Sequence, residues 1–404
     1  MEGEIMNGNK ETLIKNVNLV DVREAAIKEK QNILISDGKI IDIGPSLSGT
    51  KTEVHVIDGN DNFLIPGMAD LHVHLNWNGG IDPKSTLAKE GPKIGIIRAY
   101  KNAMDHLKIG VTSLLDVGSV DDLAIDLAAA IRQGVIFGPE LYATGRIICI
   151  IGGHGAGLGY EISGKDDALR ATRNLIKNGA DLLKISATSG AYGSYGAEKL
   201  ESIQLDPEEI KTITSEASKY KIKVTAHALN LEGIKNCVEN GVEVIHHGAF
   251  MDKDTARRMA QKGIVYVPTL LVYKKLAEDV PGVMPEAIKK AKEVAKHHKE
   301  AFLNAIDAGV KIAGGTDAYS PNFGDIPRLI DEAILMSEYG MANIDVLRSI
   351  TINAAKVLGN ENRTGTLEVG KDANLVFLKN DPIKDIRNLT QQRQVIFRGR
   401  EVYG

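Results

Sequence analysis

The stretch that decides the fold is LIPGMADLHVHL, residues 64–75. It opens with apolar residues around a Pro-Gly pair and closes with two histidines, His72 and His74, at positions i and i+2. Successive side chains of a β-strand point to opposite faces, so residues two apart share a face. The pattern therefore predicts a buried strand that carries two imidazoles on one face, roughly 6.6 Å apart along the strand.

Seven further apolar runs follow this strand and alternate with helical stretches, which is the order of a parallel α/β fold. The runs are VTSLLDVG (111–118), ELYATG (140–145), ADLLKIS (180–186), KVTAHA (223–228), VEVIHHG (242–248), IVYVPTL (264–270) and KIAGGTD (311–317). Helical stretches between them end in Gly-Val or Gly-Ile pairs, and Gly suits the left-handed end of a helix. Eight such units predict a (β/α)8 TIM barrel, whose functional residues lie at the C-terminal strand ends.

The two ends of the chain have a different pattern. Residues 12–63 form short alternating runs joined by Asp-Gly and Gly-Asn turns, and the C-terminal segments TGTLEVGKDANLVFLKN and RQVIFRGREVYG return to this style. We therefore predict a small β-sandwich domain formed by residues 1–66 together with 365–404. The barrel domain is predicted to span residues 67–364.

Two helices of the barrel can be predicted individually. DPEE, residues 206–209, has an aspartate suited to cap a helix, a proline suited to its first position and a glutamate that completes a capping box. The lysine-rich segment 285–308 has the spacing of an amphipathic helix with a solvated face.

Composition and charge narrow the class of function. The 404 residues are 43% hydrophobic and 25% charged, the balance of a globular protein with a sizeable core. A net charge of −4 provides no basic field for nucleic acid or an anionic membrane. Cys149 and Cys237 lie outside any CxxC pair, which excludes a cysteine-rich zinc module. Without a signal pattern or a long apolar run, we expect a cytoplasmic protein that acts on a small molecule, with no nucleic acid or membrane as partner.

Six ionisable side chains lie at or near the C-terminal ends of the predicted barrel strands. They are His72, His74, Lys184, His227, His247 and Asp317. Each alone has an ordinary structural explanation: a histidine satisfied in the core, a lysine that extends to the rim, or an aspartate that caps a helix. Packing does not explain why separate strand ends carry all of them, so together they predict a metal site.

The ligand types indicate which metals fit. Imidazole and carboxylate ligands without cysteine suit Zn²⁺ first, and Mn²⁺, Co²⁺ or Fe²⁺ are compatible with the same set. A lysine belongs in such a site if the neutral amine of Lys184 has captured CO₂ as a carbamate, whose two oxygens can bridge two divalent metal ions about 3.5 Å apart. A hydroxide between the ions is a nucleophile at neutral pH, and Asp317 would take its proton and return it to a leaving amine.

These residues resemble the motifs of the amidohydrolase superfamily over essentially the whole chain. The matching segments are HVH after PGMAD, the lysine of LLKIS, the histidine of TAHA, IHHG, the aspartate of GGTD and the ending VGKDANLVFL. The resemblance implies a binuclear metal hydrolase with Lys184 as the bridging carbamate and Asp317 as the catalytic base. One metal ion is then held by His72 and His74, and the other by His227 and His247. By analogy with the superfamily, a homo-oligomer is also expected.

The IHHG motif offers two candidate ligands, His246 and His247. The family's ligand directly precedes the small residue, so the resemblance assigns the role to His247. Because side chains alternate along a strand, we expect that only one of the two points into the barrel.

Two further features indicate the subgroup. Mononuclear deaminases of the superfamily usually carry a Glu three positions after the strand-five histidine, and this chain has Asn230 there, which disfavours deamination. GGHGAGLG, residues 152–159, resembles the glycine-flanked histidine of the Xaa-Pro dipeptidase (prolidase) and carboxypeptidase members. Glycines let the backbone approach a ligand closely, so His154 is a second catalytic candidate that would bind a substrate carboxylate or polarise the scissile carbonyl. The alternative is a flexible loop with an incidental histidine.

The expected function is hydrolysis of an amide bond in a dipeptide-like substrate, Xaa-Pro or similar, or in an N-acyl amino acid. A second candidate is hydrolysis of a cyclic amide, lactone or ester, as in the imidazolonepropionase-like members, and a third is a non-catalytic barrel scaffold. Candidate contacts near the site, each with a packing or surface role as its alternative, are Tyr192, Tyr195, Tyr266, Tyr273, Trp77 and Arg146.

Overall fold

The structure is a computed structural model that describes residues 11–47, 54–192 and 199–404. Its strands are β1 (Glu11–Asp21), β2 (Ala26–Ser36), β3 (Lys39–Gly44), β4 (Val54–Asp58), β5 (Phe63–Pro66), β6 (Met68–Val73), β7 (Val111–Asp116), β8 (Glu140–Ala143), β9 (Ile147–Ile150), β10 (Gly159–Ile162), β11 (Leu183–Ser186), β12 (Val224–Ala228), β13 (Val244–His247), β14 (Val265–Val267), β15 (Lys311–Ile312), β16 (Leu375–Leu378), β17 (Gln392–Phe397) and β18 (Arg400–Tyr403).

The α-helices alternate with the strands of the central segment. They are α1 (Pro83–Glu90), α2 (Pro92–Lys108), α3 (Leu123–Arg132), α4 (Lys165–Asn178), α5 (Pro207–Ser218), α6 (Leu231–Glu239), α7 (Lys253–Lys262), α8 (Leu270–Leu276), α9 (Pro285–Asp307), α10 (Leu329–Glu338), α11 (Asn343–Ser349) and α12 (Ile352–Leu358), with short 3-10 helices at Val120–Asp122 and Ile386–Thr390. Over the parts of the chain described above, no helix is both long and apolar enough to cross a membrane.

The chain divides into two compact units. The first takes the described residues up to Ala69, His106–Ser113 and Ala342–Gly404, and the second takes Asp70–Asp105 and Leu114–Met341. This division differs from the predicted boundaries because α11 and α12 group with the C-terminal segment. The side chain of Asn343 donates to backbone oxygens of Ile383 and Lys384 and so holds α11 there. The assignment of two folding domains stays a prediction.

The first unit is built on one hydrogen-bonded sheet that draws on both chain ends. Its strand order is β18-β17-β16-β5-β1-β2-β3, with β4 beside β1. The two ends meet where β5 and β16 pair antiparallel, with Ile65 opposite Val376. The sheet curls back at β3, where Lys39 bridges Asp372, and encloses an apolar core. This core comprises Ile14, Val17, Leu19, Ile33, Ile35, Ile40, Leu64, Leu367, Ala373, Leu375, Phe377 and Ile396.

The strands that carry the candidate site form two hydrogen-bonded sheets, which further backbone hydrogen bonds join into a ring. One has the order β6-β7-β8 and the other the order β10-β9-β11-β12-β13-β14-β15, in which the strands from β11 to β15 run parallel. Asp181 N–H donates to Ala143 O and joins β8 to the segment before β11. Leu71 N–H donates to Gly314 O and closes the ring between β6 and the segment after β15.

Both helices predicted individually are confirmed. Helix α5 starts at Pro207, and Asp206 and Glu209 form the capping box. Helix α9 spans Pro285–Asp307, and its buried face includes Ile288 and Val294. Sequence analysis missed strands β9 and β10, which are only four residues each and enclose the glycine-rich segment 152–159.

The core of the first unit gives a stability prediction. Phe377 lies in β16 with 1% of its surface exposed, so Phe377→Ala removes a buried aromatic ring and leaves a cavity. We expect the free energy of unfolding to fall by about 3–5 kcal/mol, measured by urea titration with circular dichroism. The control Val56→Ala changes a side chain of β4 that is 51% exposed. We expect it to lower the free energy of unfolding by about 0.5 kcal/mol. Equal losses in the two variants would contradict the assigned core.

Candidate metal centre

One cavity lies at the C-terminal ends of the ring strands and collects all six predicted ligands together with His154. Its lining includes His72, His74, His154, Lys184, His227, His247 and Asp317. The register explains part of this arrangement. Lys184 pairs with Thr225 and Ser186 pairs with His227 across β11 and β12, so alternate residues of both strands share the face that lines the cavity.

The ligand atoms lie close together. Nε2 of His72 and Nε2 of His74 are each 3.5 Å from Oδ1 of Asp317. One ligand atom each from His72, His247 and Asp317 lie within 4.8 Å of one another, a spacing that can hold a metal ion. The ring of His227 extends this cluster, because its centroid is 4.6 Å from that of His247.

Burial keeps the imidazoles of this cluster neutral. It lowers the pKa of His74 and His227 to about 3, and it lowers the pKa of His72 and His247 well below the usual range. Neutral imidazole is the form that binds a metal ion. The positive charge of Lys184 further lowers the pKa of all four imidazoles.

Burial shifts the pKa values of the Lys184 and Asp317 side chains in opposite directions. Burial lowers the pKa of Lys184 against the charges of Asp317 and Asp116, which raise it. Burial raises the pKa of Asp317, although a hydrogen bond from Ser320 and the charge of Lys184 lower it. Burial thus shifts both side chains towards their uncharged forms, and an uncharged amine is the form of lysine that can react with CO₂.

The hydrogen bonds of the four imidazoles fit a metal centre. Each has one ring nitrogen held by the protein: His74 Nδ1 by Gly118 O at 3.0 Å, His227 Nε2 by Ser189 O at 3.0 Å, His247 Nδ1 by Thr269 Oγ1 at 2.7 Å and His72 Nδ1 by His246 Nδ1 at 2.8 Å. A carbonyl oxygen only accepts, so His74 carries its proton on Nδ1 and His227 on Nε2. The second nitrogen of His74 and of His227 then keeps a lone pair, which is the usual state of a metal-binding histidine.

The expectation that only one histidine of IHHG points into the barrel is wrong. The rings of His246 and His247 both pack against His72, with centroid distances of 4.6 Å and 4.9 Å. His247 has a φ of +68°, so the extended backbone that enforces alternation ends before it. His247 lines the cavity, whereas His246 contacts Nδ1 of His72.

Left-handed backbone recurs at the strand ends that carry the site. Thr269, which follows β14, has a φ of +51°, and Asp317, which follows β15, has a φ of +61°. Such conformations are uncommon for residues with a Cβ and cost about 1–3 kcal/mol, and they cluster at functional sites. Here they follow the strand and direct Thr269 towards His247 and Asp317 towards His72.

His154 lies in the cavity with an unused nitrogen. Its ring stacks on His227 at a centroid distance of 4.1 Å and an angle of 27°. Its Nδ1 is buried and has no hydrogen-bond partner within the described chain. Gly190 makes this position possible, because a Cβ there would lie 2.2 Å from the His154 ring. Gly155 and Gly157, with φ of +93° and +92°, provide the left-handed turns of the connection between β9 and β10.

The aromatic candidates divide into cavity and core residues. Trp77 lines the cavity and stacks on His74 at 4.7 Å. Tyr273 also lines it, with its ring 5.5 Å from His247. The hydroxyl of Tyr266 donates to the backbone oxygen of His247 and so supports the strand end from the core.

Three other candidates have different outcomes. Tyr192 lines the cavity and donates its hydroxyl to Asp82 Oδ1 at 2.7 Å. Arg146 forms an ion pair with Asp122 at 3.2 Å, which does not support its role as a partner for a substrate carboxylate. Tyr195 lies outside the described residues. Asn230, the residue that disfavours deamination, caps helix α6 by accepting from the backbone of Gly233.

Sequence analysis missed two buried carboxylates that hold the strand ends. Asp116 accepts from Leu75 N–H at 2.8 Å and from Gly118 N–H at 3.2 Å, and burial raises its pKa to about 7. Asp70 accepts from His72 N–H at 3.1 Å and from the Thr316 hydroxyl at 2.7 Å. Their only signal in the sequence is an acidic residue inside an apolar run, in PGMAD and SLLDVG.

A third buried carboxylate, Glu332 of α10, anchors helix α8. It accepts from Leu270 N–H and from Leu271 N–H, both at 2.7 Å. These groups belong to the first turn of α8, which directly follows Thr269 and carries Tyr273. Burial raises the pKa of Glu332 to about 8, although the two backbone donors favour the carboxylate.

Glu332 predicts a pH dependence of stability. The pKa of Glu332 is about 8 in the folded protein, compared with the ordinary value of 4.5. Between pH 4.5 and about 8 the folded protein therefore holds a proton on Glu332 that the unfolded chain has lost. The stabilising contribution of Glu332 is therefore complete below pH 4.5 and is lost as the pH rises through about 8. We expect the unfolding free energy of the wild type minus that of Glu332→Gln to fall across this range. Urea titrations of both proteins from pH 4 to pH 9 measure this difference.

The matched control is Glu338→Gln, at the exposed end of the same helix. We expect its difference from the wild type to vary much less with pH. A Glu332→Gln difference that stays constant from pH 4 to pH 9 would contradict the raised pKa.

Comparison with known proteins agrees with the predicted family and fold. Residues 63–402 match the model of the amidohydrolase family. An ochratoxinase from Aspergillus niger is 27% identical over 403 residues, covering 93% of this chain and 81% of the relative. An imidazolonepropionase from Brucella suis is 25% identical over 416 residues, covering 92% and 93%. The crystal structure of a Xaa-Pro dipeptidase with bound methionine in the active site superposes with a TM-score of 0.88 at 30% identity, covering 97% of this chain and 99% of the other. The chain belongs to the amidohydrolase family and is a hydrolase that acts on C–N bonds.

Proposed function

We propose that this chain is a metal-dependent hydrolase that cleaves the amide bond of a dipeptide-like substrate, Xaa-Pro or similar, or of an N-acyl amino acid. One observation carries the proposal: four imidazoles, each held at one ring nitrogen by the protein, converge with Lys184 and Asp317 on one cavity. The similarity to a Xaa-Pro dipeptidase supports the choice of substrate class.

Two divalent metal ions, with Zn²⁺ as the first candidate, complete the proposed site. We assign one ion to His72 and His74 and the other to His227 and His247, with a carbamate on Lys184 between them. When bound, such a pair polarises the scissile carbonyl and makes water a nucleophile at neutral pH. Burial of Lys184, which lowers the pKa of its amine, supports the carbamate.

Asp317 is the proposed general base and general acid. It takes a proton from the attacking water and returns it to the leaving amine. Two contacts support this role. The Ser320 hydroxyl donates to Oδ1 at 2.8 Å and orients the carboxylate, and the same oxygen lies 3.5 Å from Nε2 of His72 and of His74.

The proposed binding site for the substrate carboxylate consists of His154 and Lys84. Among the described residues that line the cavity, Lys84 is the charged side chain that the metal proposal does not use. It lies in the first turn of α1, half-buried, with Nζ 5.4 Å from the centre of the Tyr192 ring. The bond from Tyr192 to Asp82, which caps α1, fixes this turn next to the cavity.

Removal of the metal ions and substitution of the proposed general base, Asp317, test the reaction. We expect the purified protein to hold two Zn²⁺ per chain, to hydrolyse members of a panel of Xaa-Pro, Xaa-Arg and N-acyl amino acids, and to lose this activity with a chelator. Asp317→Asn should lower kcat by about 100- to 10,000-fold, because loss of general acid–base catalysis costs this much. The control Asp307→Asn makes the same change at the exposed end of α9, and wild-type kcat is expected. Undiminished activity of Asp317→Asn would overturn the assigned role.

The role proposed for Lys84 predicts that the enzyme prefers substrates with a free carboxylate. A hydrogen bond to a charged group contributes about 1.5–3 kcal/mol, so Lys84→Met should raise KM about 10- to 150-fold for acidic substrates. We expect little change for the same compounds as C-terminal amides. The control Lys89→Met, on the exposed side of α1, should match the wild type. A similar rise in KM for acids and amides would contradict the carboxylate contact.

Hydrolysis of a cyclic amide, lactone or ester is the second candidate. The similarity to an imidazolonepropionase over 92% of this chain favours it. Turnover of ring substrates without a free carboxylate, together with no turnover of the dipeptide panel, would establish this candidate in place of the first. A protein that binds no metal and cleaves neither group would indicate a scaffold.

A further inference from the structure

We infer that His246 sets the tautomer of His72 and is a positioning residue for the metal ion at that histidine. The inference rests on the proposed metal centre and is independent of the substrate. Nδ1 of His246 lies 2.8 Å from Nδ1 of His72, and the rings meet edge-to-face at 84°. Both side chains are buried, at 0% and 1% exposure.

The partner of His72 differs in kind from those of the other three imidazoles. His74 and His227 each face a backbone carbonyl oxygen, which only accepts and so fixes the position of the ring proton. His247 faces a threonine hydroxyl. His72 faces a second imidazole, whose nitrogen donates in one tautomer and accepts in the other.

A hydrogen bond between two ring nitrogens has two neutral arrangements. In the first, His72 donates from Nδ1, and His246 carries its proton on Nε2. In the second, His246 donates from Nδ1, and His72 carries its proton on Nε2, where it faces Asp317 Oδ1 at 3.5 Å. Each ring keeps one proton throughout, so the two arrangements differ only in where the protons lie.

Only the first arrangement leaves a lone pair on Nε2 of His72, the nitrogen that faces Asp317. This arrangement has a disadvantage, because Nε2 of His246 is buried and lacks a hydrogen-bond partner among the residues that the structure describes. In the first arrangement this nitrogen would be a buried N–H donor without an acceptor, and such donors are rare in proteins. The second arrangement leaves only an unused lone pair at that nitrogen. Metal binding at His72 therefore selects the first arrangement, and His246 must change from donor to acceptor.

Two variants of His246 separate the hydrogen bond from simple packing. Asn can present its side-chain oxygen near the position of Nδ1 and accept from His72, whereas Leu fills the space without an acceptor. Zn²⁺ affinity is measured by competition with a chromophoric chelator, and metal content by elemental analysis. We expect His246→Leu to bind the more sensitive of the two Zn²⁺ ions about 10- to 100-fold more weakly, the usual cost of losing such a partner. We expect His246→Asn to stay within about threefold of the wild type.

The control is His106→Leu, which removes another fully buried imidazole, on α2. Circular dichroism checks the folding of every variant, and we expect the control to change stability without changing Zn²⁺ affinity. Wild-type affinity in His246→Leu, or an equal loss in the Asn and Leu variants, overturns the inference. A wild-type protein that binds no Zn²⁺ overturns the metal-centre proposal instead and removes the basis of the inference.

Nitrogen NMR of the wild type labelled with ¹⁵N-histidine tests the tautomers without any variant. We expect the His72 signal to report a proton on Nε2 in the metal-free protein and on Nδ1 after addition of Zn²⁺, with His246 changing in the opposite sense. An Nδ1 proton on His72 in both states overturns the proposed switch.

Discussion

The pairing of β6 with the segment that follows β15 is the constraint on which the site depends. Asp317 N–H donates to His72 O at 2.8 Å, and His74 N–H donates to Ala318 O at 2.7 Å. These bonds close the ring of strands and place the Asp317 carboxylate beside the two imidazoles of the first strand. Asp70 reinforces the junction from within, because its carboxylate binds both strands. The first and last strands are far apart in the sequence, so this closure turns separate motifs into one centre.

Closure also creates an electrostatic problem, because it buries many ionisable groups together. Burial disfavours the charged state of each of them, and the imidazoles, the lysine and the aspartate all shift towards neutral forms. Left-handed residues at the strand ends add a conformational cost. A ligand that binds only the folded state would offset these costs. The proposed pair of metal ions would have the charge to do so, since it would favour the anionic forms of Asp317 and of the proposed carbamate on Lys184.

The sequence predicts the strand ends better than it predicts the supporting interactions. Spacing two apart, apolar context and position at a strand end were sufficient to locate His72, His74 and the other candidate ligands in one cavity. The same alternation rule failed at His247, because a left-handed φ at a residue other than glycine leaves no mark in the sequence. Asp116 was missed for a related reason: its partners are backbone N–H groups, which have no residue type to recognise. Strands β9 and β10 were too short, and too close to glycines, to stand out.

The proposed metal ligands and the proposed substrate contacts occupy different parts of the fold. The proposed ligands lie on the ring strands or directly after them, so the closed ring fixes their geometry. The proposed carboxylate contacts come from added segments: Lys84 from α1 and His154 from the connection between β9 and β10. Tyr273 comes from α8, whose first turn depends on Glu332. A superposition of the whole chain on a Xaa-Pro dipeptidase therefore constrains the reaction more tightly than the substrate, because these segments can change while the ring stays the same.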